Sequence, residues 1–100
     1  MTASIGIWAE GDVDGPVVLY RWEADDETGF VTFEVESRTL RPAGSGGQPI
    51  GDLLYDPEVG ETSGDAEGVN RRLFNQVVVA ILRAYRRAGS APVTAHAYYY

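Results

Sequence analysis

Residues 69–88 read VNRRLFNQVVVAILRAYRRA, and this stretch decides the fold class. Its apolar and polar side chains recur at the spacing of an α-helix that has one polar face. Arginines fill the last turns, where positive charge is favoured, and Gly89 and Pro92 stop any continuation. Asp65 is the predicted N-cap. The sequence therefore predicts one long amphipathic helix that starts after Asp65 and ends before Gly89.

The segments on either side of the helix alternate apolar and polar side chains, as β-strands do. Residues 4–9, 16–24 and 30–40 are predicted to form a three-stranded antiparallel meander. Residues 93–100 are predicted as a C-terminal strand that runs parallel to the first and third strands, because a helix crosses over before it. The glycine- and proline-containing segment 41–64 is predicted as a loop-rich insertion. We therefore predict one α+β domain over the whole chain, a two-layer β-β-β-α-β structure packed on one long α-helix.

The predicted helix carries more apolar surface than one sheet can cover. Its apolar arc spans roughly 220°, whereas a helix that lies on a sheet needs a stripe of about 100°. Val79 lies near the middle of the polar arc and Leu82 lies on the apolar one. The excess is covered by the segment 50–59, by a second copy of the chain or another protein, or by both the segment and a partner. Val79 and Leu82 are therefore predicted interface residues.

Aromatic side chains form the second predicted interaction surface. Trp8 falls on the opposite face of its strand from Ile5 and Ile7. If the first and last strands are neighbours, one outer face of the sheet carries Trp8, His96, Tyr98 and Tyr100. Tryptophan and tyrosine are enriched among the residues that dominate binding energy in protein interfaces. The alternative is a set of partly exposed rings that shield the edge of a sheet.

The charge of the chain is divided unequally along its length. The net charge is −7, but all fifteen acidic side chains lie in residues 1–70, and residues 71–100 carry five arginines and no acid. This division is typical of internal charge complementarity, or of a bipolar surface that orients a charged partner. The helix arginines are also candidate anion-binding residues, at positions Arg71, Arg72, Arg83, Arg86 and Arg87.

Several chemistries are excluded or disfavoured by the composition. The chain has neither cysteine nor lysine, which excludes disulfides, thiolate metal sites, thiol nucleophiles and Schiff bases. The segment 12–15 has the spacing of the first ligands of a calcium loop, but the later ligands are missing, so we predict a turn. His96 has no nucleophile motif to assist. We predict no catalytic residue, no metal and no cofactor.

The sequence predicts a cytoplasmic protein without membrane association, since it shows neither a signal peptide nor a long apolar run. The expected function is a non-enzymatic protein-interaction module that forms a homodimer or binds another protein. It would use either the surplus apolar helix surface or the aromatic sheet face. The alternatives are a nucleic-acid-associated protein that uses the helix arginines, and a small enzyme with an unrecognised site.

Overall fold

The computed structural model describes residues 3–25 and 27–99, with residues 3, 98 and 99 described by their backbone alone. These residues form seven strands and one helix. In chain order the elements are β1 (Ala3–Ala9), β2 (Val17–Ala24), β3 (Glu27–Glu34), β4 (Thr39–Ala43), β5 (Leu54–Asp56), β6 (Glu61–Ser63), α1 (Arg71–Ala88) and β7 (Thr94–Tyr99).

The strands form one antiparallel sheet in the order β6-β5-β4-β3-β2-β1-β7. One face of the sheet packs against α1, because alternate side chains of the central strands are apolar. Tyr20 faces Val31 across the β2–β3 pair, and Phe33 faces Leu40 across the β3–β4 pair. All four are buried in one core with seven side chains of α1. The protein is thus α+β, with a helix on one sheet face only.

The predicted three-stranded meander with one added C-terminal strand is wrong, because the sheet has seven strands. The prediction omits three strands between the meander and the helix. Each antiparallel strand reverses the direction of the chain, so an odd number of omitted strands places the entry to the helix at the wrong end of the sheet. For this reason β7 runs antiparallel to β1, with Ile7 opposite Ala95, and the predicted parallel pairing is also wrong.

The predicted strand 30–40 is two strands joined by a four-residue turn at 35–38. The turn contains neither glycine nor proline, so composition did not mark it. Arg38 adopts the left-handed conformation (φ 60°), and its N–H donates to the carbonyl of Glu34 at 2.7 Å. The Ser37 hydroxyl donates to the carboxylate of Glu34 at 2.8 Å. These local hydrogen bonds close the hairpin in place of a turn-forming residue.

The predicted loop-rich insertion 41–64 continues the sheet through β4, β5 and β6. The helix after it starts later than predicted, because Asp65 is engaged with Asp52 instead of capping. The Asp65 N–H donates to the Asp52 carboxylate at 2.8 Å, and the Asp52 N–H donates to the Asp65 carbonyl at 2.9 Å. Gly68 follows in the left-handed conformation (φ 78°), which a continuous helix does not allow.

Both ends of α1 are capped by hydrogen bonds. The Asn70 side chain accepts from the N–H of Leu73 at 3.2 Å. Gly89 stops the helix in the left-handed conformation (φ 76°), and its N–H donates to the Tyr85 carbonyl at 2.7 Å, which confirms the predicted C-terminus. Within the described residues, no helix is both long and apolar enough to cross a bilayer.

Candidate functional site

The aromatic positions of the first and last strands do share one face of the sheet. β1 pairs with β7, so that Trp8 lies opposite Thr94, and Gly6 opposite His96. Ile5 and Ile7 are buried on the helix side, which places Trp8 and His96 on the solvent side. Tyr98 lies opposite Ser4 by its backbone register, but its side chain and the whole of Tyr100 lie outside the described residues.

Trp8 is held in one position on this outer face. Its indole lies over Gly6, where an added Cβ would be 2.5 Å from Cη2, so only glycine leaves room for the ring. The guanidinium of Arg21 lies 4.9 Å from the ring centroid, within cation–π range. Arg21 in turn forms ion pairs with Glu23 at 2.9 Å and with Glu10 at 3.4 Å. Trp8 remains 37% exposed, so it is a fixed aromatic surface that a partner can contact.

The helix surface is largely covered by the chain itself. Tyr55 of β5 packs against the core, and Thr62 of β6 donates from its hydroxyl to the Asn75 side chain at 2.6 Å. Leu82 is only 6% exposed and belongs to the core, so it offers little surface to a partner. Val79 is 50% exposed. The segment 54–63 therefore covers part of the apolar excess that the helical pattern indicates, and Val79 remains exposed.

Two of the five helix arginines have interactions within the chain, and the other three are exposed. Arg71 donates to the carbonyls of Thr62 at 2.8 Å and Gly64 at 3.3 Å, so it is tied to the β6 side. Arg72 also has an interaction within the chain. The remaining three are exposed: Arg83 and Arg86 border a groove beside Tyr55, Arg83 also borders a groove on the β7 side, and Arg87 lies one helical turn beyond Arg83.

The two edges of the sheet differ in length and charge. β6 has three residues and contains Glu61, whereas β7 has six residues and no carboxylate, lysine or arginine. The Ala9 N–H donates to the Val93 carbonyl at 2.8 Å, just before β7 begins. In an antiparallel pair, the backbone groups point alternately toward and away from the neighbouring strand. The N–H and C=O groups of Thr94 and Tyr98 therefore point away from β1, toward the outer side of β7.

A groove runs between the helix and this edge strand. It has a volume of about 150 Å³ and is lined by Gln76, Val79, Ala80, Arg83, His96 and Ala97. The exposed Val79 and the cationic Arg83 thus lie beside β7 and above its outer edge. The sequence pattern indicated Val79, Arg83 and His96 separately. It did not indicate the edge itself, although the lack of aspartate, glutamate, lysine and arginine between Ala88 and Tyr100 was a visible signal.

The described residues contain no group of three or more histidine, aspartate or glutamate side chains placed to hold a metal ion. Asp12 instead stabilises its own turn, because its carboxylate accepts from the N–H of Asp14 at 2.8 Å.

Comparisons of the chain with models of protein families, with curated proteins and with solved structures gave no match.

Proposed function

We propose that the chain is a non-enzymatic protein-interaction module that binds an extended acidic segment of another protein as an additional strand beside β7. The observation that carries this proposal is the contrast between the two sheet edges. Proteins that keep an edge strand from pairing make it short or place charges and prolines on it. β6 is short and carries a charged residue. β7 is six residues long and contains no proline, aspartate, glutamate, lysine or arginine. An edge of this kind favours strand addition.

The charge of the surroundings supports an acidic partner. Both elements beside the edge, α1 and β7, come from the part of the chain that carries five arginines and no acid. Arg83 borders the groove along β7, and Arg87 follows it on the same side of the helix. Carboxylates on the added segment would meet these guanidinium groups at the rim, where opposite charges mainly raise the association rate and the specificity.

Two exposed apolar side chains lie near this edge, one on each face of the sheet. Val79 is exposed on the helix side, and Trp8 is exposed on the outer face of the neighbouring strand β1. Trp8 is already held in place by Gly6 and Arg21. An ordered aromatic surface loses little conformational entropy on binding.

A second copy of the chain is a weaker candidate for the same edge. Pairing β7 with its own copy would bring two arginine-bearing helices together on one face, and like charges oppose such contacts. Nucleic acid is likewise less favoured, because the chain has a net charge of −7 and Arg71 is hydrogen-bonded within the chain. The following experiment distinguishes a second copy and nucleic acid from an acidic segment of another protein.

The test is a titration of the ¹⁵N-labelled protein with a blocked eight-residue peptide that alternates glutamate and valine. We expect saturable shifts of the β7 amide signals, and slower hydrogen exchange at Thr94 and Tyr98 because their N–H groups become paired. Arg83→Glu should weaken binding roughly tenfold, since it replaces an attraction by a repulsion. Raising the salt concentration should weaken the wild-type complex.

The matched control is Arg41→Glu, the same charge change on an exposed residue of β4, about four strand spacings from β7. It should leave the affinity nearly unchanged. Equal binding of a peptide with lysine in place of glutamate would contradict the charge argument. Binding without protection of Thr94 and Tyr98 would contradict strand addition. A doubled mass in sedimentation would assign the edge to a second copy, and tighter binding of a DNA oligonucleotide would favour nucleic acid.

A further inference from the structure

A second binding site lies away from β7, and it does not depend on the proposed function. We infer that a cavity between the start of α1 and the beginning of β3 binds a small, uncharged phenol: one aromatic ring that carries a hydroxyl group. The inference combines the size of the cavity, an indole N–H that faces it, and the charge at its rim.

The cavity opens where β4 stops. Ala43 is the last residue of β4 and lies opposite Phe30, so Glu27, Thr28 and Gly29 extend past the end of β4. The chain leaving β4 and the segment before α1 border the resulting space, which is partly open to solvent. Its volume is about 140 Å³, close to the roughly 150 Å³ of an apolar cavity that holds benzene. Its apolar walls are Trp22, Phe30, Pro42, Ala43, Ile50, Val69 and Phe74.

Trp22 supplies a hydrogen-bond donor to this space. The residue is only 7% exposed, and no hydrogen bond joins its indole N–H to any residue in the described part of the chain. Its ring lies against Gly29, where an added Cβ would be 2.9 Å from Nε1. Gly29 and Trp22 both line the cavity, so the N–H edge of the indole borders it. No buried side-chain nitrogen or oxygen in the described residues lacks a partner, so this N–H is open to water, and an oxygen on a ligand would replace that water.

The rim of the cavity selects the charge of the ligand. Glu27 borders the cavity, and its carboxylate lies 3.4 Å from the amide nitrogen of Asn70, which donates to it. A ligand carboxylate would be repelled there, because like charges disfavour each other. A hydroxyl group suits both neighbours, since it accepts from the Trp22 N–H and donates to the Glu27 carboxylate. A single ring with a hydroxyl is a phenol.

Phenol itself is the probe, and the indole N–H signals of the ¹⁵N-labelled protein report its binding. The chain has two tryptophans, so Trp8→Phe assigns the Trp22 signal without changing the cavity. We expect phenol to shift the Trp22 signal downfield and saturably, with a Kd on the order of 1 mM for so few atoms. Benzoate should bind at least tenfold more weakly because of Glu27.

Two variants separate the hydrogen bond from the space. Trp22→Phe keeps an aromatic wall but removes the donor, and should weaken phenol binding roughly threefold to tenfold, as followed by ligand-observed NMR. Val69→Phe should fill the cavity and abolish binding. If Val69→Phe does not fold, Val69→Leu fills part of the same space with a smaller side chain. Val79→Phe is the control, because Val79 lies outside the cavity.

The inference is overturned if phenol leaves the Trp22 signal unchanged at concentrations about tenfold above the expected Kd. Equal affinity for benzoate would refute the role of Glu27. Unchanged phenol binding by a folded Val69→Phe or Val69→Leu variant would place the ligand elsewhere.

Discussion

Tyr20 makes the stability of the protein sensitive to alkaline pH in a way that one substitution can isolate. Its side chain is 0% exposed, and its hydroxyl donates to the Pro92 carbonyl at 2.7 Å. This hydrogen bond joins β2 to the segment between α1 and β7. Burial raises the pKa of the Tyr20 hydroxyl well above the value of 10.0 that it has in the unfolded chain.

The direction of the change in stability with pH follows from proton linkage. Because the folded-state pKa is raised, the stabilisation is complete below pH 10 and declines as the pH rises from the unfolded pKa toward the folded one. In this window the unfolded chain releases a proton that the folded chain keeps. The free energy of unfolding should therefore fall by up to about 1.4 kcal/mol for each pH unit above 10. The absence of lysine from the chain simplifies the measurement, since lysine would titrate in the same window.

The assay is urea unfolding, followed by circular dichroism between pH 8 and 12 in the wild type and in Tyr20→Phe. At pH 8 the variant should lose about 1–3 kcal/mol, because the Pro92 carbonyl loses its donor. Above pH 10 its stability should fall less steeply than that of the wild type, so the two curves converge. Tyr85→Phe is the control, since Tyr85 is half-buried and packs edge-to-face on Phe33 with ring centroids 5.4 Å apart. Parallel wild-type and Tyr20→Phe curves up to pH 12 would refute the argument.

Three further predictions concern the helix, and urea unfolding midpoints test them all. Asn70→Ala should cost about 1 kcal/mol by removing the acceptor for the Leu73 N–H, and an unchanged midpoint would contradict the cap. Gly89→Ala should cost about 1–2 kcal/mol, because a side chain strains the left-handed conformation at φ 76°, and a stabilised variant would contradict this. Leu82→Glu should destabilise by several kcal/mol through burial of a charge, whereas Val79→Glu should stay within about 0.5 kcal/mol. Similar losses of stability in both variants would show that α1 buries a different face.

The parts of the fold that the sequence predicts are those with a strong local signal. Gly89 and Pro92 marked the end of α1 correctly, and the alternating side chains of β1 and β2 placed both strands within a residue or two. The turn at 35–38 could not be recognised in the same way. Its left-handed residue is an arginine, where glycine is the usual residue. A hydrogen bond from the Ser37 hydroxyl stabilises the turn instead.

The direction of β7 could not be obtained from local patterns, because it depends on counting every strand before the helix. β5 and β6 have three residues each, which is too short for an alternating pattern to stand out. Part of the interaction surface was nevertheless predictable. The alternation of β1 and β7 placed Trp8 and His96 on the outer face once the two strands were assumed to be neighbours. The Trp22 cavity was not predictable, since it arises from where β4 happens to stop.

The pairing of β1 with β7 has a consequence for the connectivity of the protein. Ala3 lies directly opposite Tyr99, so positions nearly a full chain length apart are about 5 Å apart in space. A short linker could join them, and new ends could be opened in the exposed Ser45–Gly46 segment, where the backbone forms a tight turn outside the sheet. Such a circularly permuted protein would keep every strand neighbour while turning the most distant pairing into a hairpin, which should speed folding.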